Sequence, residues 1–595
     1  MTETTASKTI ADLLPLAAEK YGSVTAVKYK DAGGSWVTTS FTEVGELVKG
    51  LSLGLIALGI EAGDKVSILA NTRPEWTYCD FAALTAGATV VPIYQTNSPE
   101  ECEYVLSNSD AKAVFVENAE QLEKVRKVRS SLPALQHVIL MEGDAADDVI
   151  TLEQLTAGGA ELDASAWRER YESIDPDTAC TFIYTSGTTG PPKGCVISHA
   201  NYRAMLDMTQ QAQVLERGQT AYLFLPLAHS FALLIQLGSF DIGGTIAYWE
   251  RDPLKIVANL AEVKPDYFPS VPRIFEKIYT SATSAVAKEG GIKEKIFWWA
   301  IGVGTKVREA ERAGKSVGPL LRAQHNFADK QVLSKIRGLF GGNIKQCVTG
   351  AAPVNPEILQ FFDAAGVLVL EGYGMTETST AATISTPEAF KFGTVGKAFD
   401  GVEIKIAEDG EILVKGANIF QGYYKNEEAT AETIVDDWLH TGDIGELDSE
   451  GYLKITGRKK DIIITAGGKN ITPANLEADI KQHPLVSQCV VIGDRRPYLV
   501  ALVTLDPEEA VKHAQENGLP EDPAALASNA DVKASIMAHV DQINEKFARV
   551  EQVKKIEILP NDLSQEGGEL TPTMKVKRNI VADKYAGEVD KLYAE

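Results

Sequence analysis

Alternation between apolar strand-like runs and amphipathic segments is the feature that most restricts the fold of this chain. It extends over roughly the first 400 residues. Short β-branched runs are typical of buried strands, and the segments between them carry the Pro and Gly residues that begin and end helices. This pattern predicts an α/β architecture with mostly parallel sheets and flanking helices. The strand candidates are 65–70, 111–118, 220–227, 244–249, 344–350 and 367–374, and the helix candidates include 74–87 and 355–366.

The pattern changes after about residue 400, where short strand pairs replace the alternation. Residues 401–416 predict two strands around an Asp-Gly turn, and 451–465 predict a second hairpin-like pair. A smaller α+β unit follows. We place the boundary after Gly457, which gives a large N-terminal domain (1–457) and a small C-terminal domain (458–595). The elements predicted in the smaller unit are a helix at 472–480, strands at 489–494 and 498–506, and a helix at 531–550.

Length and charge exclude several classes of protein. A chain of 595 residues is too long for one core and should form at least two domains. The 58 Lys and Arg against 82 Asp and Glu give a net charge of −24, which argues against a general nucleic-acid binder. The six cysteines form no C-x-x-C pair, so neither a zinc site nor a disulfide framework is indicated. With no export signal and no stretch of ~20 apolar residues, we expect a cytoplasmic protein.

One apolar stretch allows more than one interpretation. Residues 296–304, IFWWAIGVG, lie between charged segments. We favour a buried core helix for this stretch. A peripheral contact with a membrane surface and a wall of an acyl-binding site are the alternatives.

Residues 184–194, YTSGTTGPPKG, are a candidate phosphate-binding loop. Glycines allow close backbone approach to a ligand, hydroxyls donate hydrogen bonds and a lysine supplies a mobile positive charge. The spacing is not that of the Walker loop, because Gly187 and Gly190 enclose only two residues and Lys193 is followed by Gly194. The apolar run before the loop predicts a buried strand that ends at it. A tight surface turn is the alternative, but it does not require so many small residues.

Two further small-residue clusters follow predicted strands. Residues 349–353, TGAAP, offer a flat floor for a ring, although a plain strand-to-helix turn explains them equally well. Residues 371–377 place Tyr373 between two glycines as an aromatic face, followed by Thr376 and Glu377. Two like charges about 4 Å apart cost about 4 kcal/mol at an intermediate dielectric. A carboxylate at Glu377 beside a triphosphate therefore implies Mg²⁺.

The last candidates lie further along the chain. Asp443, in WLHTGDIG, could accept hydrogen bonds from two vicinal ribose hydroxyls. Arg458 and Lys460 stand at the predicted domain junction, and Lys575 lies in a basic segment near the end of the chain. Each of these signals is weak alone, and a basic terminal segment is most often a solvated tail.

Together the motifs YTSGTTGPPKG, GYGMTE, WLHTGD, GRKKD and TPTMKVKR, in this order, resemble those of the AMP-forming acyl-CoA synthetase and adenylation-domain superfamily. The resemblance covers nearly the whole chain. Residues 265–279 and the terminal TPTMKVKR motif look most like the long-chain fatty acyl-CoA synthetases. The resemblance implies a small C-terminal domain that moves on a hinge.

The resemblance also implies roles for individual residues. Thr376 would touch the α-phosphate, Glu377 with Thr185 would hold magnesium, and Lys575 would reach the substrate carboxylate and the α-phosphate. Lys460 would be the hinge, and His229 would line the acyl site, although without the resemblance a structural histidine would be favoured. The ATP phosphates would be held by Thr185, Ser186, Gly187, Thr188, Thr189, Gly190 and Lys193. The adenine pocket would comprise Gly350, Ala351, Ala352, Glu371 and Tyr373, with Gly372 and Gly374 also among the nucleotide-binding residues. The ribose would be bound by Asp443 and Arg458.

These roles imply a long-chain fatty acid–CoA ligase that uses ATP, Mg²⁺ and coenzyme A and forms AMP through an acyl-adenylate. Two alternatives stay open. A fatty acyl-AMP ligase or carrier-protein-loading enzyme would stop at the adenylate or pass it on, and a non-catalytic protein would only sense lipid or adenylate. We expect fatty acid, ATP and CoA as small-molecule partners and no nucleic acid. A homodimer and a peripheral membrane contact are left open.

Overall fold

The computed structural model describes residues 3–185, 191–466, 469–571 and 574–594. Its helices and strands are numbered in chain order. The strands are β1 Thr25–Lys30, β2 Trp36–Ser40, β3 Lys65–Leu69, β4 Thr89–Ile93, β5 Ala111–Val116, β6 His137–Leu140, β7 Ile150–Thr151, β8 Ala179–Thr185, β9 Lys193–Ser198, β10 Thr220–Leu223, β11 Thr245–Tyr248, β12 Tyr267–Ser270, β13 Gln346–Thr349, β14 Val369–Tyr373, β15 Thr383–Ile384, β16 Lys397–Ala398, β17 Glu403–Ile406, β18 Glu411–Lys415, β19 Gly422–Tyr423, β20 Ile434–Val435, β21 Trp438–Leu447, β22 Leu453–Arg458, β23 Ile463–Ile464, β24 Asn470–Ile471, β25 Val486–Ile492, β26 Leu499–Leu505 and β27 Val553–Ile558.

The helices flank the sheets. Short 3₁₀ helices occupy Arg129–Ser131, Pro253–Lys255, Thr376–Thr378 and Lys459–Asp461, and a π-helical turn occupies Asp329–Leu333. The α-helices are α1 Leu13–Tyr21, α2 Phe41–Ala57, α3 Pro74–Thr85, α4 Pro99–Asn108, α5 Ala119–Val128, α6 Leu152–Gly158, α7 Ala164–Glu172, α8 His199–Gln211, α9 Ser230–Asp241, α10 Ile256–Val263, α11 Pro272–Glu289, α12 Gly291–Arg312, α13 Pro319–Ala328, α14 Ser334–Gly338, α15 Pro356–Ala365, α16 Glu427–Thr433, α17 Pro473–Ile480, α18 Pro507–Asn517, α19 Pro523–Ala527, α20 Ala530–Asn544, α21 Arg578–Lys584 and α22 Ala586–Ala594.

Two large sheets form the body of the protein. One has the strand order β16-β15-β14-β13-β12-β10-β11-β1-β2, and its six strands from β14 to β1 run parallel. The other has the order β19-β9-β8-β4-β3-β5-β6-β7, and its strands from β8 to β7 run parallel. Parallel sheets place their loops in a crevice at the carboxyl ends of the strands. The predicted α/β architecture is confirmed.

Antiparallel strands surround this body. A five-stranded antiparallel sheet contains β17, β18, β20, β21 and β22. The last part of the chain has a two-stranded ribbon, β23-β24, and a three-stranded sheet, β25-β26-β27, flanked by helices. The predicted mixture of helices and strands is present in this last part of the chain. The exact domain boundary after Gly457 stays a prediction.

Capping explains why several helices begin and end where they do. Ser40 and Ser98 each accept a hydrogen bond from the backbone three residues on, in capping boxes that begin α2 and α4. Asn355 accepts from the backbone N–H of Glu357 at the start of α15, and Gly366 ends that helix at φ 85°. The sequence punctuation around this helix therefore predicts its bounds to within one residue.

The apolar cores divide in two along the chain. One core cluster joins both large sheets and the helices between them, including Trp76, Phe240 and Phe268. Another begins at Ile463 and packs the three-stranded sheet against α17 and α20. Each part of the chain therefore buries its own apolar residues.

The prediction of a hairpin at 451–465 is wrong. β22 pairs with β21 in the five-stranded sheet, whereas β23 pairs with β24 in a separate ribbon. A 3₁₀ turn at Lys459–Asp461 separates β22 from β23. Two β-branched runs that are adjacent in sequence belong here to two different units. The turn predicted at Asp409-Gly410 is confirmed, since β17 and β18 pair antiparallel around it with Gly410 at φ 86°.

The helix prediction for 296–304 is partly right. The stretch lies within α12, and Phe297, Ala300, Val303 and Gly304 are buried. Its two tryptophans, however, are exposed. The helix packs one face on the core and presents the other to solvent.

Candidate active site

The predicted site residues meet at the carboxyl ends of strands from both large sheets. Thr185 ends β8, and Lys193 begins the antiparallel strand β9, so that the two residues are directly paired. Gly350 follows β13, and Tyr373 ends β14. The described residues on either side of the loop are therefore neighbours in antiparallel strands. Ser186, Gly187, Thr188, Thr189 and Gly190, predicted to bind phosphates, lie outside the described residues.

Tyr423 joins two of the predicted site residues. It lies on β19, which pairs with β9. Its hydroxyl donates to Glu377 Oε1 at 2.7 Å, and the ammonium of Lys193 lies 4.9 Å from its ring centroid. Burial, assisted by the charge of Glu377, raises the pKa of Tyr423 far above its usual value, so that the hydroxyl stays a donor. The sequence analysis missed this residue, because nothing near Tyr423 in the chain indicates a partner 46 residues away.

The segment that carries Thr376 and Glu377 is backbone-strained. A 3₁₀ turn at Thr376–Thr378 is followed by Ser379 at φ 49° and Thr380 at φ 114°, conformations that L-residues seldom adopt. A Cβ at Gly374 would come within 2.2 Å of the carbonyl oxygen of Thr380, so only glycine fits there. Thr376 and Glu377 are buried. The 3₁₀ turn therefore holds the side chains of Thr376 and Glu377 close together within one short buried segment.

The segment after β13 is also strained. Ala351 has φ 70°, and Ala351 and Ala352 are exposed in the bend between β13 and α15. The buried hydroxyl of Thr349 has no hydrogen-bond partner in the described structure. A Cβ at Gly350 would lie 3.3 Å from the Gly372 carbonyl oxygen, so this bend lies against β14. The small-residue floor predicted from sequence is therefore adjacent to the tyrosine predicted to face it.

Asp443 is held by three polar groups. Tyr373 donates its hydroxyl to Asp443 Oδ2 at 2.8 Å, and Arg458 Nε donates to Oδ1 at 2.8 Å. The backbone N–H of Asp443 donates to Thr441 Oγ1 at 3.1 Å. Asp443 and Arg458 are cross-strand partners of β21 and β22. The sheet register thus brings together Asp443 and Arg458, both predicted to bind ribose, and the Asp443 carboxylate also binds Tyr373, predicted to face the adenine.

A second carboxylate supports the turn before Asp443. Glu411 is buried and accepts from the backbone N–H of Gly442 at 2.8 Å. Lys459 binds Glu411 at 2.7 Å, and His440 Nδ1 lies 3.1 Å from it. Burial alone would raise the pKa of Glu411, but Lys459 and the Gly442 N–H hold it below its usual value. The sequence analysis did not find this supporting group.

Glu371 has a strongly perturbed carboxyl. It lies on β14 and has no ionic partner in the described structure. Burial raises its pKa to about 8. A carboxyl that is neutral near pH 7 can sit beside a nucleobase without adding charge to a polyanion site, which fits the position predicted for it.

Lys575 comes from the C-terminal part of the chain and lies close to the other site residues. Lys575 is partly accessible to solvent, but desolvation by the surrounding protein and the charge of Arg458 lower its pKa, whereas Asp443 and Glu377 act to raise it. Its positive charge in turn contributes to lowering the pKa of His229, mainly set by burial, to about 4. Lys575 is therefore near enough to His229, Glu377 and Asp443 for their charges to interact.

The two remaining predicted residues have different surroundings. His229 is the N-cap of α9, where Nδ1 accepts from the backbone N–H of Phe231 at 3.2 Å. Lys460 lies in the 3₁₀ turn after β22 and has no ion pair in the described structure. Its predicted role as a hinge therefore rests on its position between the two core clusters.

A metal ion would have few protein ligands here. Among the described residues no group of three or more His, Cys, Asp or Glu could hold a metal. Glu377 and Thr185 would supply oxygen ligands, and Tyr423 occupies only one carboxylate oxygen of Glu377. Mg²⁺ is commonly bound by one or two protein oxygens together with substrate phosphates, and this donor set fits it.

The arrangement has the parts needed to bind and activate a nucleotide. Lys193 and Lys575 supply positive charge, the Asp443 carboxylate is paired with Arg458, and Tyr373 offers a partly buried ring. No helix of the described structure is long and apolar enough to cross a membrane.

Comparison with known proteins gives a consistent result. The sequence model of the AMP-binding enzyme family matches residues 14–424, and that of the AMP-binding enzyme C-terminal domain matches residues 460–595. The long-chain-fatty-acid–CoA ligase FadD15 of Mycobacterium bovis is 40% identical over 565 residues, which cover 94% of this chain and 93% of that protein. The long-chain-fatty-acid–CoA ligase ACSBG2 of Xenopus laevis is 35% identical and covers 99% of this chain and 84% of that protein.

A solved structure also has this fold. The adenylation domain of the carboxylate reductase from Mycobacterium chelonae superposes with a TM-score of 0.80 at 22% identity, covering 99% of this chain and 92% of that one. At that identity the likeness establishes the fold alone.

Proposed function

The chain belongs to the AMP-binding enzyme family, and from this premise we propose that it is a long-chain fatty acid–CoA ligase that forms AMP. The reaction joins a fatty acid to coenzyme A with ATP as the activating substrate. The convergence of Lys575 with Glu377 and Asp443 carries the proposal, because it brings a cation near the carboxylates expected to bind magnesium and ribose. The names of the relatives at 40% and 35% identity support the long-chain acid as substrate.

Activation of the acid is the first step. A carboxylate is a poor acyl donor because its leaving group would be oxide. The fatty acid carboxylate attacks the α-phosphorus of ATP, the bond to the β-phosphate oxygen breaks and pyrophosphate leaves. Lys575 stabilises the negative charge that develops on the phosphoryl oxygens, and Lys193 receives pyrophosphate at the loop. A polyanionic nucleotide would raise the pKa of Lys575 and keep it charged.

The metal has a limited role in this proposal. Glu377 and Thr185 would hold Mg²⁺, which when bound neutralises phosphate charge as a Lewis acid. Tyr423 fixes the Glu377 carboxylate through the 2.7 Å hydrogen bond and so positions the remaining oxygen. The partly buried ring of Tyr373 packs beside the base, and Asp443 accepts from the ribose hydroxyls.

Thioester formation is the second step. The coenzyme A thiol, as thiolate, attacks the acyl carbonyl carbon, and the bond from that carbon to AMP breaks so that AMP leaves. Lys575 is not needed for this step. Rotation of the C-terminal domain about the segment around Lys460 would remove it and bring in the thiol.

The experiment that tests the proposal measures both products. Purified protein is incubated with ATP, Mg²⁺, coenzyme A and acids from acetate to palmitate, and AMP and acyl-CoA are quantified by chromatography. Equal amounts of AMP and acyl-CoA, largest with the long acids, are expected. The same reaction without coenzyme A reports retained acyl-adenylate.

Two outcomes would contradict it. Acyl-adenylate without thioester would favour a fatty acyl-AMP ligase or a carrier-protein-loading enzyme. No AMP from any acid would favour a non-catalytic protein that binds adenylate or lipid.

A further inference from the structure

The strained turn that carries Thr376 and Glu377 is held by a side chain from another segment. We call residues 376–381 the magnesium turn, after the role proposed for Glu377. Ser379 and Thr380 in it have φ 49° and 114°, and Thr378 and Ser379 are completely buried. Backbone in such unfavourable conformations persists only where the surrounding contacts determine it. The turn therefore depends on groups that hold it from outside.

Asn418 is such a group. It lies between β18 and β19 and is completely buried. Its Nδ2 donates to the carbonyl oxygen of Ala381 at 2.8 Å and to that of Thr378 at 3.4 Å. A carbonyl oxygen can only accept, so the NH₂ group of the amide must face the turn. One side chain thus joins the backbone on both sides of the two strained residues.

The amide of Asn418 is confined. Its buried Oδ1 has no hydrogen-bond partner in the part of the chain that the structure describes. A Cβ at Gly416 would lie 2.6 Å from this Oδ1, so a longer side chain has no room. Asn418 therefore acts on the turn through its two N–H groups alone. A carboxylate has the same size and shape but donates no hydrogen bond when it is ionised.

A second asparagine holds the segment on which Asn418 lies. Asn201 Nδ2 donates to the carbonyl oxygens of Ala417 and Ile419, both at 2.9 Å. Asn201 stands in the first turn of α8, where its Oδ1 accepts from the backbone N–H of Ser198 at 3.0 Å. The two amides act in series, since Asn201 fixes the segment to α8 and Asn418 fixes the turn to the segment.

The same segment also contacts Glu377 directly. The backbone N–H of Phe420 donates to the Glu377 carbonyl oxygen at 3.0 Å, and the Tyr423 hydroxyl donates to the Glu377 carboxylate at 2.7 Å. Residues 418–423 therefore hold the turn, the backbone of Glu377 and its side chain. Asn418 is the member that acts on the strained part of the turn.

We propose that Asn418 is a positioning residue for acyl-adenylate formation, because its amide holds the magnesium turn in the conformation that directs Thr376 and Glu377 to the nucleotide. Asn418 contacts neither substrate nor metal and acts through the turn. The inference rests on the proposed ligase function and adds to it a residue that none of the sequence motifs indicated.

Hydrogen exchange of the ligand-free full chain tests the hold on the turn without any activity. The backbone N–H groups of Ser379 and Thr380 donate to carbonyl oxygens within the segment, so their exchange reports its opening. Exchange is followed by mass spectrometry on peptides that span residues 375–382. Asn418→Asp removes both donors, and these peptides should exchange about fivefold faster or more than in the wild type.

Kinetics tests whether the hold matters for the reaction. Pyrophosphate release with ATP and palmitate is measured as a function of Mg²⁺ concentration. Asn418→Asp should lower the maximal rate about tenfold or more and raise the half-maximal Mg²⁺ concentration about threefold or more. Asn418→Ala removes the donors without adding a charge and should change both values in the same direction.

A variant one step away gives an independent test. Asn201→Asp keeps the acceptor that caps α8 but loses the donors to the segment. It should show the same changes as Asn418→Asp at a smaller size, because the segment is loosened while the amide of Asn418 is retained.

Asn544→Asp is the matched control. Asn544 is also buried, and its Nδ2 donates to the carbonyl oxygen of Val553 at 2.8 Å in the C-terminal part of the chain. Its replacement should lower the melting temperature, as the loss of a buried donor does. Exchange at residues 375–382 and the half-maximal Mg²⁺ concentration should change less than about twofold.

Unchanged exchange at residues 375–382 in Asn418→Asp would overturn the proposal, and so would an unchanged Mg²⁺ requirement in a folded Asn418 variant. If neither Asn418 variant folds, wild-type values of both measurements in Asn201→Asp would overturn it. A wild-type protein that forms no AMP would instead contradict the ligase function, and the exchange measurement would still decide whether Asn418 holds the turn.

Discussion

The site is built from side chains that hold other side chains. Glu377 is fixed by Tyr423, and Asp443 is fixed by both Tyr373 and Arg458. Such pre-placed carboxylates do not need to reorganise when a nucleotide binds, which is the main source of electrostatic catalysis. The partners should therefore matter nearly as much as the carboxylates.

In the proposed mechanism the charge of Lys575 serves only one of the two half-reactions. Lys575→Ala should slow acyl-adenylate formation about 100-fold or more, because it removes the cation that stabilises the developing phosphoryl charge. Thioester formation from supplied acyl-AMP should change little. Lys577→Ala, two residues along the same segment, is the matched control. Equal losses in both half-reactions would refute this division.

The hydroxyl of Tyr423 positions the Glu377 carboxylate. Tyr423→Phe removes the 2.7 Å hydrogen bond but keeps the ring that faces Lys193. A hydrogen bond to a charged group contributes about 1.5–3 kcal/mol, so adenylation should slow roughly tenfold or more. The concentration of Mg²⁺ that gives half-maximal rate should also rise, which a general loss of stability would not cause.

Tyr424→Phe is the control for this variant. Tyr424 is the next residue, and its hydroxyl contacts the exposed Asp110 at 3.3 Å. The Tyr424→Phe variant should leave the adenylation rate and the Mg²⁺ requirement unchanged. An unchanged Mg²⁺ requirement in Tyr423→Phe would remove Tyr423 from the metal-binding arrangement.

Sequence motifs predict the residues expected to contact the nucleotide more readily than the residues that support them. Asp443 and Glu377 stand in short motifs beside glycines and hydroxyls, and the structure brings both to the cleft. Tyr423 and Glu411 act through strand pairing with distant segments, which no local pattern records. A supporting residue becomes visible only once the sheet register is known.

At the level of elements, the interface between α3 and α9 contains a buried polar network. Asp80 on α3 accepts from Gln236 Nε2 at 2.8 Å, and Gln236 Oε1 accepts from Thr77 at 2.6 Å. Asp80 is 1% exposed, and burial raises its pKa to about 7. No cation pairs with it in the described structure, so the interface favours its neutral form.

Asp80→Asn should therefore stabilise the protein at high pH. The folded state keeps the Asp80 proton up to about pH 7, whereas the unfolded chain releases it near pH 4, so wild-type stability falls as the pH rises between these values. An asparagine mimics the protonated acid and avoids that loss, which is roughly 2–4 kcal/mol at pH 8. The melting temperature of Asp80→Asn should exceed that of the wild type at pH 8 and approach it near pH 4. The exposed control Asp144→Asn should show no such trend, and a lower melting temperature for Asp80→Asn at pH 8 would contradict the argument.

Helices were easier to predict than short strands. α3 and α15 begin at a proline and carry their own end signals, so the sequence predicts both to within two residues. β22 and β23 are separated by only four residues, and apolar periodicity cannot decide whether such runs pair together or with other strands. β22 pairs with β21 and β23 pairs with β24, because the two strands belong to units with separate apolar cores.

At the level of the whole molecule, a row of ion pairs joins α11 to the C-terminal part of the chain. Arg273 binds Asp506 at 2.8 Å, just before α18. Two further pairs join α11 to α18 itself, Lys277–Glu508 at 2.6 Å and Lys288–Glu516 at 2.5 Å. These contacts exist in the arrangement that brings Lys575 to the cleft. Rotation of the C-terminal domain would separate them.

Reversing these charges should disfavour the arrangement needed for adenylation. K277E/K288E places like charges opposite Glu508 and Glu516, and surface pairs contribute at most about 1 kcal/mol each, so a three- to tenfold slower adenylation half-reaction is expected. Thioester formation from supplied acyl-AMP should not slow. E508K/E516K in the same chain should restore the rate, because the pairs are re-formed with opposite polarity. Lys533→Glu, which breaks the Lys533–Glu557 pair inside the C-terminal domain, is the control. If the quadruple variant (K277E/K288E/E508K/E516K) stays as slow as the double variant, the ion pairs do not set the domain arrangement.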